Sequence, residues 1–148
     1  MASVKMVNYL ESSPRVRKVF DDIMTTRKSE YVNNIWRVLA NYPPILESFR
    51  SQVKAIMIKP SRIDPLTKEL IYLAVSITNN CDYCINSNTA GARSKGMDDE
   101  ILGELNAIVG LANAGNRYTQ GYQVPVDSIF RDESAHDKWS LKKKKTKG

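Results

Sequence analysis

Apolar residues in this chain recur mostly at spacings of three and four, and this periodicity limits the possible folds more than any other feature. On an α-helix such spacing places apolar side chains on one face, whereas a half-buried strand needs strict alternation. No Asn-Gly or Asp-Gly pair, a common signal of a tight hairpin, lies between alternating segments. The sequence therefore predicts an all-α fold.

Turn-forming and capping residues divide the apolar stripes into six predicted helices. Asp64 followed by Pro65 is typical of a helix start, and Gly96 suits the position just after a helix end. The predicted helices follow Pro14, cover residues 31–39 and 45–58, extend from Pro65 to Asn79-Asn80, from near Cys81 to about residue 95, and from an Asp98 cap to about residue 118. Residues 121–140 are predicted to form a turn and one short helix.

The length of 148 residues fits one domain with its own core, which we expect to cover residues 1–140. Residues 141–148 carry five lysines and are predicted to form a disordered basic tail. Removing these five charges from the net charge of +6 leaves +1, so the domain itself is nearly neutral. Because aromatic residues and arginines are not interleaved in the tail, we expect no nucleic-acid partner.

The first residues of the chain and the length of its apolar runs predict where in the cell the protein is located. The first ten residues contain one basic residue, Lys5, and no sustained apolar stretch, so no secretory signal is predicted. The longest apolar run, residues 70–75, is far shorter than the roughly 20 residues that a membrane-spanning helix needs. We therefore expect a cytoplasmic protein without a membrane partner.

Two cysteines, Cys81 and Cys84, stand three positions apart at the start of a predicted helix. On a helix these positions share a face, so the two thiols can form a disulfide across the first turn. A helix N-terminus and the Cys-x-x-Cys arrangement both lower a thiol pKa, and the thiolate is the reactive form. The pair therefore predicts a redox-active dithiol.

Other interpretations of the cysteine pair remain open. Both residues could be buried as small apolar side chains, or they could supply half of a zinc site. Zinc would need two more ligands, and the only histidine, His136, is far downstream. A thioredoxin-like fold is disfavoured because its motif follows a strand, whereas helices are predicted on both sides of this one.

Two further residues are candidates for a site around the thiols. The short Asn79-Asn80 connection predicts that the flanking helices pack as a hairpin, which would bring Glu69 near the cysteines. A carboxylate in a partly dry cleft has a raised pKa and can transfer protons to and from a thiol. Asn88 lies one turn beyond Cys84 on the same predicted face.

With these residues the chain resembles the alkylhydroperoxidase D-like branch of the carboxymuconolactone decarboxylase family. The resemblance rests on residues 66–105, with Glu-Leu-Ile at 69–71, Cys-Asp-Tyr-Cys-Ile at 81–85 and Gly-Met-Asp at 96–98. Residues 34–44 and 116–118 look like the longer, peroxidase-related members, so the resemblance extends from about residue 15 to 127. The lactone decarboxylase branch is a poorer match, because its ring-opening chemistry does not require a Cys-x-x-Cys pair.

The resemblance implies an all-α homotrimer or homohexamer that reduces a hydroperoxide substrate without a cofactor or metal. It assigns to Cys84 the attack on the peroxide oxygen, to Cys81 the resolution of the sulfenic acid to a disulfide, and to Glu69 a proton relay. An external dithiol reductant, or a lipoyl or thioredoxin-like adaptor protein, would then reduce the disulfide.

The chain departs from the family pattern at Asn88, which stands where the resemblance implies a histidine. Tyr83 takes an inter-cysteine position that is histidine in some peroxidases, and it is a candidate to assist Glu69. Asparagine does not titrate near neutral pH, and general acid–base catalysis is typically worth about 10² to 10⁴ in rate. Two alternatives therefore stay open: a disulfide oxidoreductase with little peroxidase activity, and a non-catalytic oligomeric binding protein of the same fold.

Overall fold

The computed structural model describes residues 2–131, which form helices and contain no strand, and the predicted all-α fold is confirmed. The α-helices are α1 (Pro14–Arg27), α2 (Asn34–Leu39), α3 (Pro43–Val53), α4 (Pro65–Thr78), α5 (Asp82–Arg93) and α6 (Asp99–Gly121). A π-helix (Lys54–Ile58) continues α3, and a short 3-10 helix (Ser128–Phe130) follows α6. The predicted basic tail, His136 and part of the predicted terminal helix lie outside the described residues.

Side-chain caps set the starts of four helices, and the sequence predicts two of these caps, Asp64 and Asp98. The Asp64 carboxylate accepts a hydrogen bond from the Thr67 N–H (2.9 Å) at the start of α4. The Asp98 carboxylate accepts one from the Ile101 N–H (2.8 Å) at the start of α6. These bonds satisfy amide groups that a helix N-terminus otherwise leaves without a partner.

Three predicted helix boundaries differ from the structure. The second helix begins at Asn34 rather than at residue 31, since Asn33 has extended backbone angles. The predicted helix over 45–58 is two elements, because the ladder after Val53 changes to the wider π pattern. This π-helix ends at Ile58, where Lys59 is extended as expected for a residue that precedes proline. The last long helix continues three residues past the predicted end at residue 118.

The helices pack in two groups. In the first, α1 and α2 contact α3 around a core that includes Phe20, Ile23, Trp36 and Leu46. In the second, α4 contacts α5 and α6 around Leu73, Ala92 and Met97. The π-helix contacts both α3 and α4 and so joins the two groups.

The apolar face predicted for α6 is only partly buried. Ile101 and Leu105 pack against the second core, and Val109 is buried. Farther along the helix, Ile108 is 64% exposed and Leu111 is 75% exposed. The periodicity therefore predicted the helix correctly, but part of its apolar face is left uncovered by residues 2–131. No helix of residues 2–131 is both long enough and apolar enough to cross a membrane.

A charge cluster around the buried Arg50 joins α1 to α3 and the π-helix. The Arg50 side chain, only 6% exposed, donates to Asp22 Oδ2 (2.7 Å), and Lys54 Nζ donates to Asp22 Oδ1 (2.5 Å). Burial alone would raise the pKa of the Asp22 carboxyl, but the hydrogen bonds from Lys54 and Arg50 outweigh it and lower that pKa below 3.8. The ionised form of Asp22 therefore stabilises this fold.

We expect Asp22→Asn to lower the free energy of unfolding at pH 7 by about 2 kcal/mol, because it leaves the buried Arg50 guanidinium without its anion. Urea unfolding would measure this change. Since the pKa of Asp22 is lowered on folding, its contribution is complete above the unfolded value of 3.8 and is lost as the pH falls through the lower folded value. The stability difference between the two proteins should therefore shrink in acid.

Glu47→Gln is the matched control. Glu47 pairs with Arg15 between the same two helices, but the two side chains are 39% and 56% exposed. Ion pairs at such exposure contribute little. Equal losses in the two variants would contradict the assignment of the buried pair.

Candidate redox site

The turn between α4 and α5 fixes the position of the first cysteine. Asn80 adopts a left-handed backbone (φ 53°), and its N–H donates to the Ile77 carbonyl (3.1 Å). The next N–H, that of Cys81, reaches back to the Ser76 carbonyl (3.0 Å). This is the Schellman arrangement of a helix C-terminus. Cys81 therefore closes the turn that follows α4 and is also the N-cap residue of α5.

Cys81 and Cys84 form a disulfide across the first turn of α5, with a Cα–Cα distance of 5.3 Å. Both residues are half-buried. The Cys84 N–H donates to Cys81 Sγ (3.4 Å), so the Cys81 sulfur takes the place of a capping oxygen. In the reduced protein this N–H and the helix dipole favour negative charge on Cys81 rather than on Cys84.

A groove of about 750 Å³ opens beside the disulfide, and we call it the cysteine groove. Most of its wall is apolar. The apolar side chains come from the π-helix, the following loop and α4, and they are Ile56, Met57, Ile63, Ile71 and Val75. Cys81 and Cys84 also line this groove. An apolar ligand in this groove would therefore lie against both cysteine residues.

Asn88 links the two helices of the hairpin behind the cysteines. Its Nδ2 donates to the Cys84 carbonyl (2.7 Å) and to Ser76 Oγ (3.4 Å). Ser76 is buried, lines the cysteine groove and donates to the Tyr72 carbonyl (2.8 Å). The position next to Cys84 that the resemblance assigns to histidine is thus held by neutral amide and hydroxyl groups.

The structure places Glu69 at the opposite end of the hairpin from the cysteines. Its Oε1 accepts from Lys95 Nζ (2.6 Å), and its side chain is 13% exposed. The carboxylate lies over Gly91, where an added Cβ would be 2.9 Å from Oε2. Gly91 is seven residues after Cys84, which is about 10 Å along α5. The expectation that Glu69 lies beside the thiols is not met by these contacts, and its catalytic role stays a prediction.

The Tyr83 hydroxyl contacts α2, and its predicted assistance to Glu69 stays a prediction. Its hydroxyl oxygen accepts a hydrogen bond from the Ile35 N–H (3.2 Å) in the first turn of α2. The N-cap of α2, Asn33, makes no side-chain capping bond, so Tyr83 satisfies an amide that the local sequence leaves open. Tyr83 therefore connects the cysteine motif to the first group of helices.

Sequence reasoning missed Lys68 and the π-helix residues of the cysteine groove. Lys68 lines this groove and is buried. A signal was present, because Lys68, Tyr72, Val75 and Ser76 follow the spacing of one helix face. The contribution of Ile56 and Met57 depends on how the π-helix meets α4, for which the sequence carries no local signal.

Fold and site together define an all-helical domain with a cysteine pair at the N-terminus of one helix of a hairpin. The family model described as the carboxymuconolactone decarboxylase family matches residues 43–127, more than half of the chain. The chain belongs to this family, and the family resemblance predicted from the sequence is confirmed.

A solved structure also supports membership of this family. The crystal structure of an alkylhydroperoxidase AhpD core from Rhodospirillum rubrum is 47% identical in sequence, with a TM-score of 0.86. The match covers 90% of this chain and 99% of that one. The chain is therefore an AhpD-like family member. No curated protein matches the chain.

The capping contact predicts unequal reactivity of the two thiols. In reduced single-cysteine variants, we expect Cys81, kept in Cys84→Ser, to be alkylated by iodoacetamide at pH 7 several-fold faster than Cys84, kept in Cys81→Ser. The reason is that the Cys84 N–H stabilises the Cys81 thiolate, and the thiolate is the form that reacts. Alkylation in denaturant, where this contact is lost, is the control. A faster Cys84 in the native protein would contradict the assignment.

Proposed function

We propose that this protein reduces organic hydroperoxides by cycling Cys81 and Cys84 between dithiol and disulfide. The observation that carries this proposal is that the disulfide pair opens onto an apolar groove. A hydroperoxide with an apolar body would gain free energy by leaving water for this groove, with its peroxide group facing the sulfur atoms. The similarity to an alkylhydroperoxidase AhpD core supports the same chemistry.

The first step is attack of Cys84 on the peroxide, as the family resemblance implies. The Cys84 thiol gives its proton to the Cys81 thiolate, and its sulfur bonds to the terminal oxygen of ROOH while the O–O bond breaks. The leaving alkoxide takes the proton from Cys81 and becomes ROH. Cys84 is then a sulfenic acid and Cys81 is again a thiolate. In this scheme Cys81 supplies the base that Asn88 cannot.

The second step closes the disulfide. The Cys81 thiolate attacks the Cys84 sulfur, expels hydroxide and forms the bond that the structure contains. An external dithiol, either a small molecule or a lipoyl or thioredoxin-like protein, then attacks Cys84 Sγ. Cys81 leaves as a thiolate, which the Cys84 N–H stabilises. The second thiol of the reductant then attacks the reductant's sulfur in the mixed disulfide, so that Cys84 leaves as a thiolate and takes up a proton. Each cycle converts one hydroperoxide and one dithiol into an alcohol, water and one disulfide.

Self-association and location follow from the same proposal. The exposed apolar side chains of α6, among them Ile108, Leu111 and Tyr118, favour assembly of several copies, which the family resemblance implies as trimers or hexamers. A dithiol reductant fits a reducing compartment. The cytoplasmic location predicted from the sequence stays a prediction.

The test is stopped-flow loss of free thiol after reduced protein is mixed with cumene hydroperoxide. We expect rapid oxidation that requires Cys84 and yields the Cys81–Cys84 disulfide. In Cys81→Ser, a dimedone-trapped sulfenic acid should form on Cys84 more slowly than thiol is lost in the wild type, because serine cannot accept the proton. A wild-type rate no faster than that of a free cysteine peptide would contradict the proposal.

A disulfide oxidoreductase is the second candidate function, and the neutral Ser76–Asn88 pair beside Cys84 favours it. Disulfide exchange needs no proton transfer to a peroxide oxygen. Rapid exchange with a peptide disulfide, combined with peroxide oxidation no faster than that of a free cysteine peptide, would identify this function instead.

Asn88→His should increase peroxide-dependent oxidation of Cys84 by about 10² or more in the Cys81→Ser background, because it adds a titratable group next to the nucleophile. Asn86→His is the matched control. Asn86 makes the same type of bond, from Nδ2 to the Asp82 carbonyl (2.9 Å), but it is exposed, and its bond is to Asp82 rather than to Cys84. If both histidines increase the oxidation rate equally, the effect does not depend on the position of residue 88 relative to Cys84.

A further inference from the structure

The cysteine groove contains one charged side chain, that of Lys68. Lys68 is 9% exposed, and its Nζ donates to the Lys59 carbonyl (3.0 Å). No Asp or Glu lines this groove, and among residues 2–131 no carboxylate forms an ion pair with Lys68. The other buried cation in the described chain, Arg50, does have such a partner, because it pairs with Asp22. The positive charge of Lys68 is therefore uncompensated.

An uncompensated ammonium at an apolar wall is costly unless a ligand completes its environment. An ammonium has three N–H donors, and the Lys59 carbonyl takes one of them. A buried charge without a counter-ion loses hydration that one carbonyl does not replace. A carboxylate bound in the cysteine groove would supply both the missing charge and the missing acceptors.

Lys68 and the disulfide lie at different positions along α4. Lys68 is in the first turn of this helix, and Ser76 is eight residues later, about 12 Å along the axis. The Ser76 carbonyl accepts from the Cys81 N–H, so Ser76 marks the position of the cysteines. Between the two positions the cysteine groove is lined by Ile71, Tyr72 and Val75.

We propose that the cysteine groove binds amphiphilic acyl hydroperoxides, with the ligand carboxylate on Lys68, the chain along α4 and the hydroperoxide at Cys84. The ligand class is that of long-chain fatty acid hydroperoxides, in which an apolar chain separates a carboxylate from the peroxide. This inference adds the substrate class to the proposed function and rests on it for the reaction. The binding of the carboxylate does not depend on the reaction.

Binding is tested on the oxidised wild-type protein with two unreactive probes, decanoate and 1-decanol. Displacement of the neutral fluorophore N-phenyl-1-naphthylamine would measure their affinities. We expect decanoate to bind more tightly than 1-decanol, and Lys68→Gln to weaken decanoate relative to 1-decanol by about tenfold, the loss of one charge-assisted hydrogen bond. Lys68→Arg should keep the preference for decanoate over 1-decanol. This result would show that a variant at position 68 can fold with an intact groove.

Arg62→Gln is the matched control for charge. Arg62 is exposed and lies between the groove residues Ser61 and Ile63, but it does not itself line the cysteine groove. Its removal should leave the ratio of decanoate to 1-decanol affinities unchanged. An equal change in Lys68→Gln and Arg62→Gln would mean that the preference reflects general surface charge, and it would overturn the proposal.

The reaction is tested with linoleic acid 13-hydroperoxide and its methyl ester on reduced protein. We expect the ratio of kcat/KM for acid over ester to fall about tenfold in Lys68→Gln, because the contact between Lys68 and the ligand carboxylate is lost. If the ratio of kcat/KM for acid over ester is the same in wild type and Lys68→Gln, this inference is overturned and the peroxidase proposal stands. A protein that reduces neither peroxide but prefers decanoate through Lys68 would overturn the peroxidase proposal and leave the binding site intact.

A second copy of the chain could instead cover the cysteine groove. In that case neither probe would bind to the assembled protein, and Lys68→Gln would change the oligomeric state measured by sedimentation. This result would overturn the ligand proposal.

Discussion

The Schellman turn at Asn80 is the local interaction on which the rest of the site depends. It ends α4 through hydrogen bonds to the Ile77 and Ser76 carbonyls and brings Cys81 directly into the N-cap position of α5. Because only residues 79–81 connect α4 and α5, these helices pack as a tight antiparallel pair. This pairing sets Asn88 against Ser76 and Glu69 over Gly91. One more residue in the turn would change every one of these contacts.

The sequence predicted the helical elements well where local signals act within one helix. The Asp64 and Asp98 caps, the helix break at Asn79-Asn80 and the left-handed Gly96 all depend on neighbouring residues, and the structure contains each of them. The spacing of the cysteines also allows the disulfide that the structure contains across the first turn of α5. Local geometry thus accounts for the cysteine pair itself.

Contacts between helices were harder to predict, because helix spacing gives a face but not the distance along the partner helix. Glu69 and the cysteines were expected to meet in the hairpin, but antiparallel packing around a turn at residues 79–80 puts residue 69 opposite residue 91. Tyr83 bonds to α2, which is 48 positions away in sequence. The burial of Lys68 depends on the π-helix and the loop after it. None of these contacts has a signal within one helix.

The chemistry at the cysteines is constrained by which groups near Cys84 can carry a proton. Asn88, which donates to the Cys84 carbonyl, and its partner Ser76 do not titrate near neutral pH. Glu69 is paired with Lys95 and lies over Gly91, about 10 Å from Cys84 along α5. Three side chains of the described residues form hydrogen bonds with Cys84, and they are those of Cys81, Ser87 and Asn88. Of these, only a reduced Cys81 can ionise near neutral pH. In the proposed cycle the N-cap position therefore gives Cys81 three tasks: base for the nucleophile, resolving thiol, and leaving group on reduction. A thiol at this cap would thus take over the proton transfer for which Asn88 has no titratable group.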